Sequence, residues 1–297
     1  MPITLQQPVA ACPLCGSPRH TLFDTRVLHG YELTNRLCQA CGLVFLSPRM
    51  SEEQLAHFYA EEYRDLYHQD KEPRAEDLAV QTARANHLLD LVRRQGVAQL
   101  QAHLDIGCST GILLNTFKSQ FGDRATGIEL DEAHRAYAQN HGITVYPALV
   151  DLPGENEKQF DLVSLIHVLE HLPDPLQTLI SLRSRWMATG GWLMLEVPNL
   201  YCHDSFEVAH LTSFSPATLS AMVEQAGFTV VRLAKHGQPR SDLLPLYLTL
   251  LARPATASPS TPQPIHREAG VHLKRQTGLA CRRLITRLAP SRAWKVV

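Results

Sequence analysis

The chain has 297 residues, 44% of them apolar and 19% charged, with a formal net charge of −1. That balance is the one of a soluble globular protein with room for one large domain and smaller modules. It excludes a largely disordered or fibrous chain, and no run approaches the roughly 18 apolar residues of a membrane-spanning helix.

Met1 to Ala10 carries no basic stretch leading into an apolar core, so no signal peptide is expected and the expected location is cytoplasmic. Four of the seven cysteines stand in two pairs, Cys12-Pro13-Leu14-Cys15-Gly16 and Cys38-Gln39-Ala40-Cys41-Gly42. A CxxC on a tight turn aims two thiolates at one centre. Two such pairs close a tetrahedral shell with no position left for a substrate, so Cys12, Cys15, Cys38 and Cys41 are expected to hold a structural Zn2+. A redox pair is the alternative, and two matched pairs speak against it. The β-prone stretch Leu22 to Leu37 would form the hairpin of a zinc ribbon over residues 1–50.

Ser51-Glu52-Glu53-Gln54 is a capping box that opens a helical segment over 51–74. Tyr59, Tyr63 and Tyr67 recur every four residues and share a face, either as a packing seam or as a lid over a ligand. Ala75 to Arg94 reads as one long helix with Leu78, Ala85, Leu88, Leu89 and Val92 as its apolar stripe. Strands are then expected near 102–107, 124–129, 143–146, 160–166, 191–196, 228–234 and 244–252, with helices near 111–120, 131–141, 175–187 and 216–226. This alternation predicts an α/β fold, a Rossmann-like, doubly wound, mostly parallel seven-stranded sheet over 75–253.

His103-Leu104-Asp105-Ile106-Gly107-Cys108-Ser109-Thr110-Gly111 reads as a strand, a glycine turn and the start of a helix. Such a turn lets backbone approach a ligand where a Cβ would obstruct it. A second strand ends at Glu129, where an acid suits the hydroxyls of a ribose. With the stretch Phe160 to Pro175, which includes His167, Glu170 and His171, these blocks resemble class I S-adenosylmethionine-dependent methyltransferases over roughly residues 75–235. The resemblance implies S-adenosylmethionine as cofactor, with Asp105, Gly107, Cys108, Gly111, Glu129 and His167 at its site. The family often carries an acid beside the adenine; this chain has none at the usual place, which leaves backbone groups, or Asp151 shifted along the loop, for that contact. Ser109 occupies a place where many members have a middle glycine. His167, at the end of a central strand, touches the cofactor, touches the substrate, or is a loop histidine bonded to backbone.

Glu196-Val197-Pro198-Asn199, then His210 and Phe214-Ser215, resembles a subgroup that includes ubiquinone-pathway-like O-methyltransferases and ribbon-bearing sugar C-methyltransferases. In the sugar enzymes a Glu-His pair is implicated in proton transfer. Here Ala209 replaces that Glu and Ser213 replaces a Tyr, which lowers the case for C-methylation and leaves His210 as the general-base candidate. The alternative is that His210 only anchors its loop.

Pro254 to Pro264 (PATASPSTPQP) is a linker. Residues 265–297 carry Arg267, Lys274, Arg275, Arg282, Arg283, Arg287, Arg292 and Lys295 against Glu268 alone, which leaves the rest of the chain net acidic. Val271 to Leu288 plots as an amphipathic helix, with Leu273, Ala280, Cys281, Leu284, Ile285 and Leu288 on one side. Docking on the body, lying on an anionic membrane surface, and binding nucleic-acid phosphates are the readings open to it. Methylation of a small molecule or a sugar or glycan precursor, on oxygen before carbon, is the expected function. An RNA methyltransferase and a non-catalytic cofactor-binding partner protein are the alternatives.

Overall fold

The computed structural model describes residues 5–58, 73–154, 159–204, 206–256 and 265–295. The lid candidates Tyr59, Tyr63 and Tyr67, and most of the 254–264 linker, lie outside them. Near the N-terminus, β1 (His20–Leu28) and β2 (Tyr31–Cys38) form an antiparallel hairpin, joined by β3 (Val44–Leu46). α1 (Glu52–His57) starts at the expected capping box: the Ser51 hydroxyl accepts from the Gln54 amide, and the Gln54 side chain accepts from the Ser51 amide. α2 (Ala75–Arg94) buries Val80, Ala85, Leu88, Leu89 and Val92, one face at helical spacing.

The alternating region follows as β4 (Ala102–Ile106), α3 (Ile112–Phe121), β5 (Arg124–Ile128), α4 (Glu132–Asn140), β6 (Thr144–Tyr146), β7 (Phe160–Ile166), α5 (Pro175–Arg185) and β8 (Met187–Pro198). Then come β9 (Thr212–Ser213), α6 (Pro216–Gln225), β10 (Phe228–His236) and β11 (Tyr247–Pro254). The main sheet has the order β10-β11-β8-β7-β4-β5-β6, and only β11, between β10 and β8, runs antiparallel to the rest. Its central strands β4, β7 and β8 are buried on both faces. Along β8, Leu193, Leu195 and Val197 enter the core shared with α5 and α6, while Trp192 and Met194 enter the core shared with α2 and α3. That two-residue alternation is the pleat sorting side chains between two helical layers. The chain runs from β4 outward through β5 and β6, then crosses back to β7 on the other side of β4. Loops therefore part above the carboxyl ends of β4 and β7, where open α/β sheets bind ligands.

β9 does not join this sheet. It completes a four-stranded sheet, β1-β2-β3-β9, with Val44 opposite Ser213 and Phe45 opposite Thr212. The ribbon over 1–50 thus takes its last strand from the far end of the alternating region.

The C-terminal helix α7 (Val271–Leu288), followed by the short α8 (Pro290–Ala293), docks on the body. It does so with the side that carries Arg275 and Arg282, opposite most of the apolar stripe. Val271 and Arg275 are buried, whereas Leu273, Leu284 and Leu288 are 64%, 56% and 76% exposed. The reason is polar. The Arg275 guanidinium donates to the Leu200 and His203 carbonyls and pairs with Asp204 at 2.9 Å, and Arg282 donates to the Cys202 carbonyl at 3.1 Å. These bonds satisfy loop carbonyls that would otherwise be buried without partners. At Gly278 a Cβ would lie 1.9 Å from the Tyr201 carbonyl oxygen, so only glycine allows this approach. Among the described residues, no helix is long and apolar enough to cross a membrane.

Gly278→Ala separates docking from helix propensity. Alanine favours an isolated helix by about 1 kcal/mol, yet the clash with Tyr201 is expected to lower the melting temperature and speed proteolysis within 265–295. A higher melting temperature with unchanged proteolysis would contradict the docked arrangement.

Candidate active site

A cavity of about 760 Å³ opens above β4, β5 and β7. One end is built by the turn between β4 and α3. Gly107 has φ 71° there, and a Cβ on it would meet Val168 Cγ2 at 2.5 Å. Ser109 adopts φ 48°, the left-handed region that a middle glycine would supply more easily. That conformation turns the Ser109 amide onto Glu129 Oε2 at 2.8 Å, and the Asp131 amide donates to Glu129 Oε1, also at 2.8 Å. Burial raises the pKa of Glu129, and the two amides oppose the rise. The result is a fixed carboxylate at the cavity wall that can accept hydrogen bonds from paired hydroxyls.

Asp105, at the end of β4, lies beside it. The Ser164 hydroxyl on β7 donates to Asp105 Oδ1 at 2.5 Å, and His103 Nε2 lies 2.7 Å from the Ser164 oxygen. Burial pushes Asp105 up to about 7 and His103 down to about 3. His103 is therefore neutral, and a cation or strong donor entering the cavity would favour the ionised form of Asp105.

Of the cofactor residues expected from sequence, Asp105, Gly107, Cys108, Glu129 and His167 line this cavity. Gly111 does not. It is the N-cap of α3 and lets α3 close on α4, since a Cβ there would sit 3.0 Å from that of Ala138. Asp151 is not brought to the cavity either: it is exposed, and its carboxylate accepts from the Ala148 amide, capping a single 3-10 turn. An acid in a short polar loop satisfies local backbone more cheaply than it reaches across to a ligand.

The other end of the cavity is lined by His167, His171, His203, His210 and Tyr247. His167 follows β7 with φ 57°. Its Nε2 lies 3.1 Å from Glu196 and its Nδ1 3.5 Å from Glu170, so both ring nitrogens face carboxylates. Burial and the nearby Arg84 charge lower its pKa, but the two carboxylates outweigh them and the net shift is upward. His167, singled out from sequence at the end of a central strand, is held in the cavity wall between these two carboxylates.

Glu196 is fully buried and accepts from the Thr249 hydroxyl at 2.8 Å, while Arg84 Nε and His236 Nε2 lie 3.0 and 3.4 Å from its oxygens as ion-pair neighbours besides His167. Against the upward push of burial, these partners hold its pKa well below the usual carboxylate range. The Arg84 guanidinium in turn lies 5.3 Å from the Tyr247 ring centroid. Sequence reasoning missed this cluster. The available signal was Glu196 itself, an acid inside the apolar run Trp192-Leu193-Met194-Leu195-Glu196-Val197, which a fold tolerates only with partners.

His210 reaches the cavity because its neighbours are held on two sides. The Leu46 amide donates to the Leu211 carbonyl at 3.0 Å, and the Leu211 amide donates to the Glu170 carbonyl at 2.8 Å. Its ring meets that of His171 edge-on, with centroids 4.7 Å apart. Burial lowers His171 to about 4, so it is neutral, and with Nδ1 donating to the Ala209 carbonyl at 3.0 Å its Nε2 carries the lone pair. Burial and the His167 charge likewise bring His203 down to about 3. Glu170, His171 and His210 offer ligand atoms within 4.8 Å of one another, a set that could also hold a metal ion.

The four ribbon cysteines converge as their spacing implied. Cys12 and Cys41 sulfurs lie 3.5 Å apart, as do those of Cys15 and Cys38, and all four fall within 4.8 Å of one another. A tetrahedron with bonds of about 2.3 Å has edges of about 3.8 Å, so the set fits a zinc ion. The Leu43 amide approaches Cys41 Sγ at 3.5 Å, a donor to a thiolate sulfur.

A family model described as a methyltransferase domain matches residues 52–233. The ubiquinone biosynthesis O-methyltransferase of Pseudomonas syringae pv. tomato is 37% identical over 103 residues, 32% of this chain and 44% of that protein. Its counterpart in Chromobacterium violaceum is 31% identical over 118 residues, 37% of this chain and 50% of that one. The chain thus spans about half the length of these relatives. Among solved structures, the 1,6-didemethyltoxoflavin-N1-methyltransferase of Burkholderia thailandensis superposes with a TM-score of 0.55 at 20% identity, over 72% of this chain and 96% of that one. With the glycine turn, the acid after β5 and the sheet order already in place, the match over 52–233 identifies the chain as a member of the methyltransferase-domain family.

Proposed function

We propose that this protein transfers a methyl group from S-adenosylmethionine to a hydroxyl of a small, largely apolar molecule, with His210 as general base. The observation that carries the reading is that His210 faces the same cavity as Asp105, Gly107 and Glu129. The O-methyltransferase names of the relatives support an oxygen acceptor. The apolar lining contributed by Leu55, Leu88, Leu113, Ile166 and Leu172 favours a small organic acceptor.

The cofactor, when bound, supplies a methyl group already activated on a sulfonium. The chain supplies the rest. Gly107 admits the ligand close to backbone, Glu129 accepts from the ribose hydroxyls, and Asp105 pairs with a donor or cationic group. A ring nitrogen of His210 would take the proton of the acceptor hydroxyl as that oxygen receives the methyl group. Neutral His171 beside it adds no repelling charge to the imidazolium that forms. Holding acceptor and methyl in line supplies much of the acceleration.

A sugar or glycan acceptor has weaker support, because Ala209 occupies the place of the acid that would share the proton. An RNA acceptor is disfavoured because Arg275 and Arg282 are engaged with loop carbonyls rather than presented as a phosphate-binding strip. We assign the cysteine tetrad to one structural zinc ion that keeps β3 in place beside Leu211.

On a panel of phenols and catechols, His210→Ala is expected to lower kcat by about 10²- to 10⁴-fold while cofactor affinity in calorimetry stays unchanged. Equal turnover would remove His210 from the chemistry, and lost cofactor binding would show that it only shapes the site. Metal analysis of the purified protein is expected to find about one zinc per chain. Cys12→Ser should release it and lower turnover through the β3–β9 contact; wild-type protein free of zinc would overturn the assignment.

A further inference from the structure

We propose that the outward face of α7 docks on the surface of an anionic phospholipid bilayer. The face that α7 turns to the body is spent: Val271 and Arg275 are buried, and Gly278, Arg282 and Ile285 lie half-buried along the same side. Directly opposite, Leu273, Ala280, Leu284 and Leu288 form a stripe at spacings of seven, four and four, which at 3.6 residues per turn is one face. Three large leucines on one helix face differ from the singly scattered Leu22, Val27, Leu130, Val150 and Val231 exposed elsewhere among the described residues.

The charge beside the stripe selects the partner. Arg283 and Arg287 are exposed and border it, and Val271–Leu288 contains no Asp or Glu. The nearest preceding acid, Glu268, is engaged with Lys274 at 3.0 Å and with the Ser215 hydroxyl. A helix lying in a bilayer interface has this profile: leucines at the acyl boundary and arginines at the level of anionic headgroups. A neutral apolar partner would leave both guanidinium groups desolvated without counter-charges, and nucleic acid would leave the leucines in water. The inner face of the same helix holds the carbonyls of Leu200, Cys202 and His203, and His203 lines the cavity. Docking would therefore bring the wall of the acceptor cavity to the lipid surface, which suits an acceptor dissolved in the membrane.

Co-sedimentation of the full chain with vesicles containing phosphatidylglycerol, and with vesicles of phosphatidylcholine alone, tests the proposal. Binding is expected only to the anionic vesicles. Arg283→Gln with Arg287→Gln should weaken it by roughly fivefold per charge removed, and Leu284→Ser with Leu288→Ser by about tenfold or more. All four positions are exposed, so melting temperature and methyl transfer to a water-soluble acceptor should stay at wild-type values. No binding to anionic vesicles, or equal binding by both variant pairs, would overturn the proposal. So would a dimer in sedimentation velocity that Leu284→Ser dissolves, or binding to RNA in place of vesicles.

Discussion

The hydrogen bonds that hold residues 199–213 from three sides set where this protein can do chemistry. β3 of the ribbon pairs with β9 and binds Leu211 through the Leu46 amide, and the loop after β7 accepts the Leu211 amide at the Glu170 carbonyl. From the C-terminal helix, Arg275 binds the Leu200 and His203 carbonyls. The three clamps come from near the start, the middle and near the end of the sequence. A connection of this length is ordinarily a mobile surface loop, and here it is ordered well enough to place two histidines at a cavity wall. The N-terminal hairpin and the tail thus support the site from outside, and no described residue of either lines the cavity.

Buried charge does the complementary work at the far wall. Carrying Glu196 into the interior costs several kcal/mol, which is recovered only when its oxygens are fully engaged. Arg84, His167, His236 and Thr249 engage them, and each is thereby fixed in turn. One carboxylate on β8 so orders groups from α2, the β7 loop, β10 and β11. The same carboxylate, with Glu170, separates the roles of the histidines. The pKa of His167 is pushed upward by the two carboxylates, whereas His171 and His203 are kept neutral by burial.

Much of this was legible in the sequence wherever a local rule coincided with the global fold. The capping box at Ser51, the apolar stripe of Ala75 to Arg94, the strand–turn–helix at Asp105 to Gly111 and the CxxC spacing each depend on neighbours a few residues away. What stayed hidden depends on residues far apart. Asp151 and Gly111 sit near cofactor-type positions in sequence, but one caps its own loop and the other closes a helix contact. His167 was seen, yet one of the carboxylates that hold it is Glu196, twenty-nine residues on. The tail shows this most directly: its apolar stripe left several readings open, and hydrogen bonds from Arg275 and Arg282 to distant loop carbonyls determine the face that docks. Hydrophobic periodicity locates a helix face, but it does not say whether protein or another medium covers it.

The most direct test of the central claim is the fate of a labelled methyl group. S-adenosylmethionine carrying the label would be incubated with the protein and a cell extract, and the products separated into lipid, small-molecule, glycan, RNA and protein fractions, with Glu129→Ala as the control. The account predicts label in a lipid or small-molecule fraction, recovered as a methyl ether and absent with Glu129→Ala. Label in RNA or glycan, on nitrogen or carbon, or label that persists with Glu129→Ala, would contradict it.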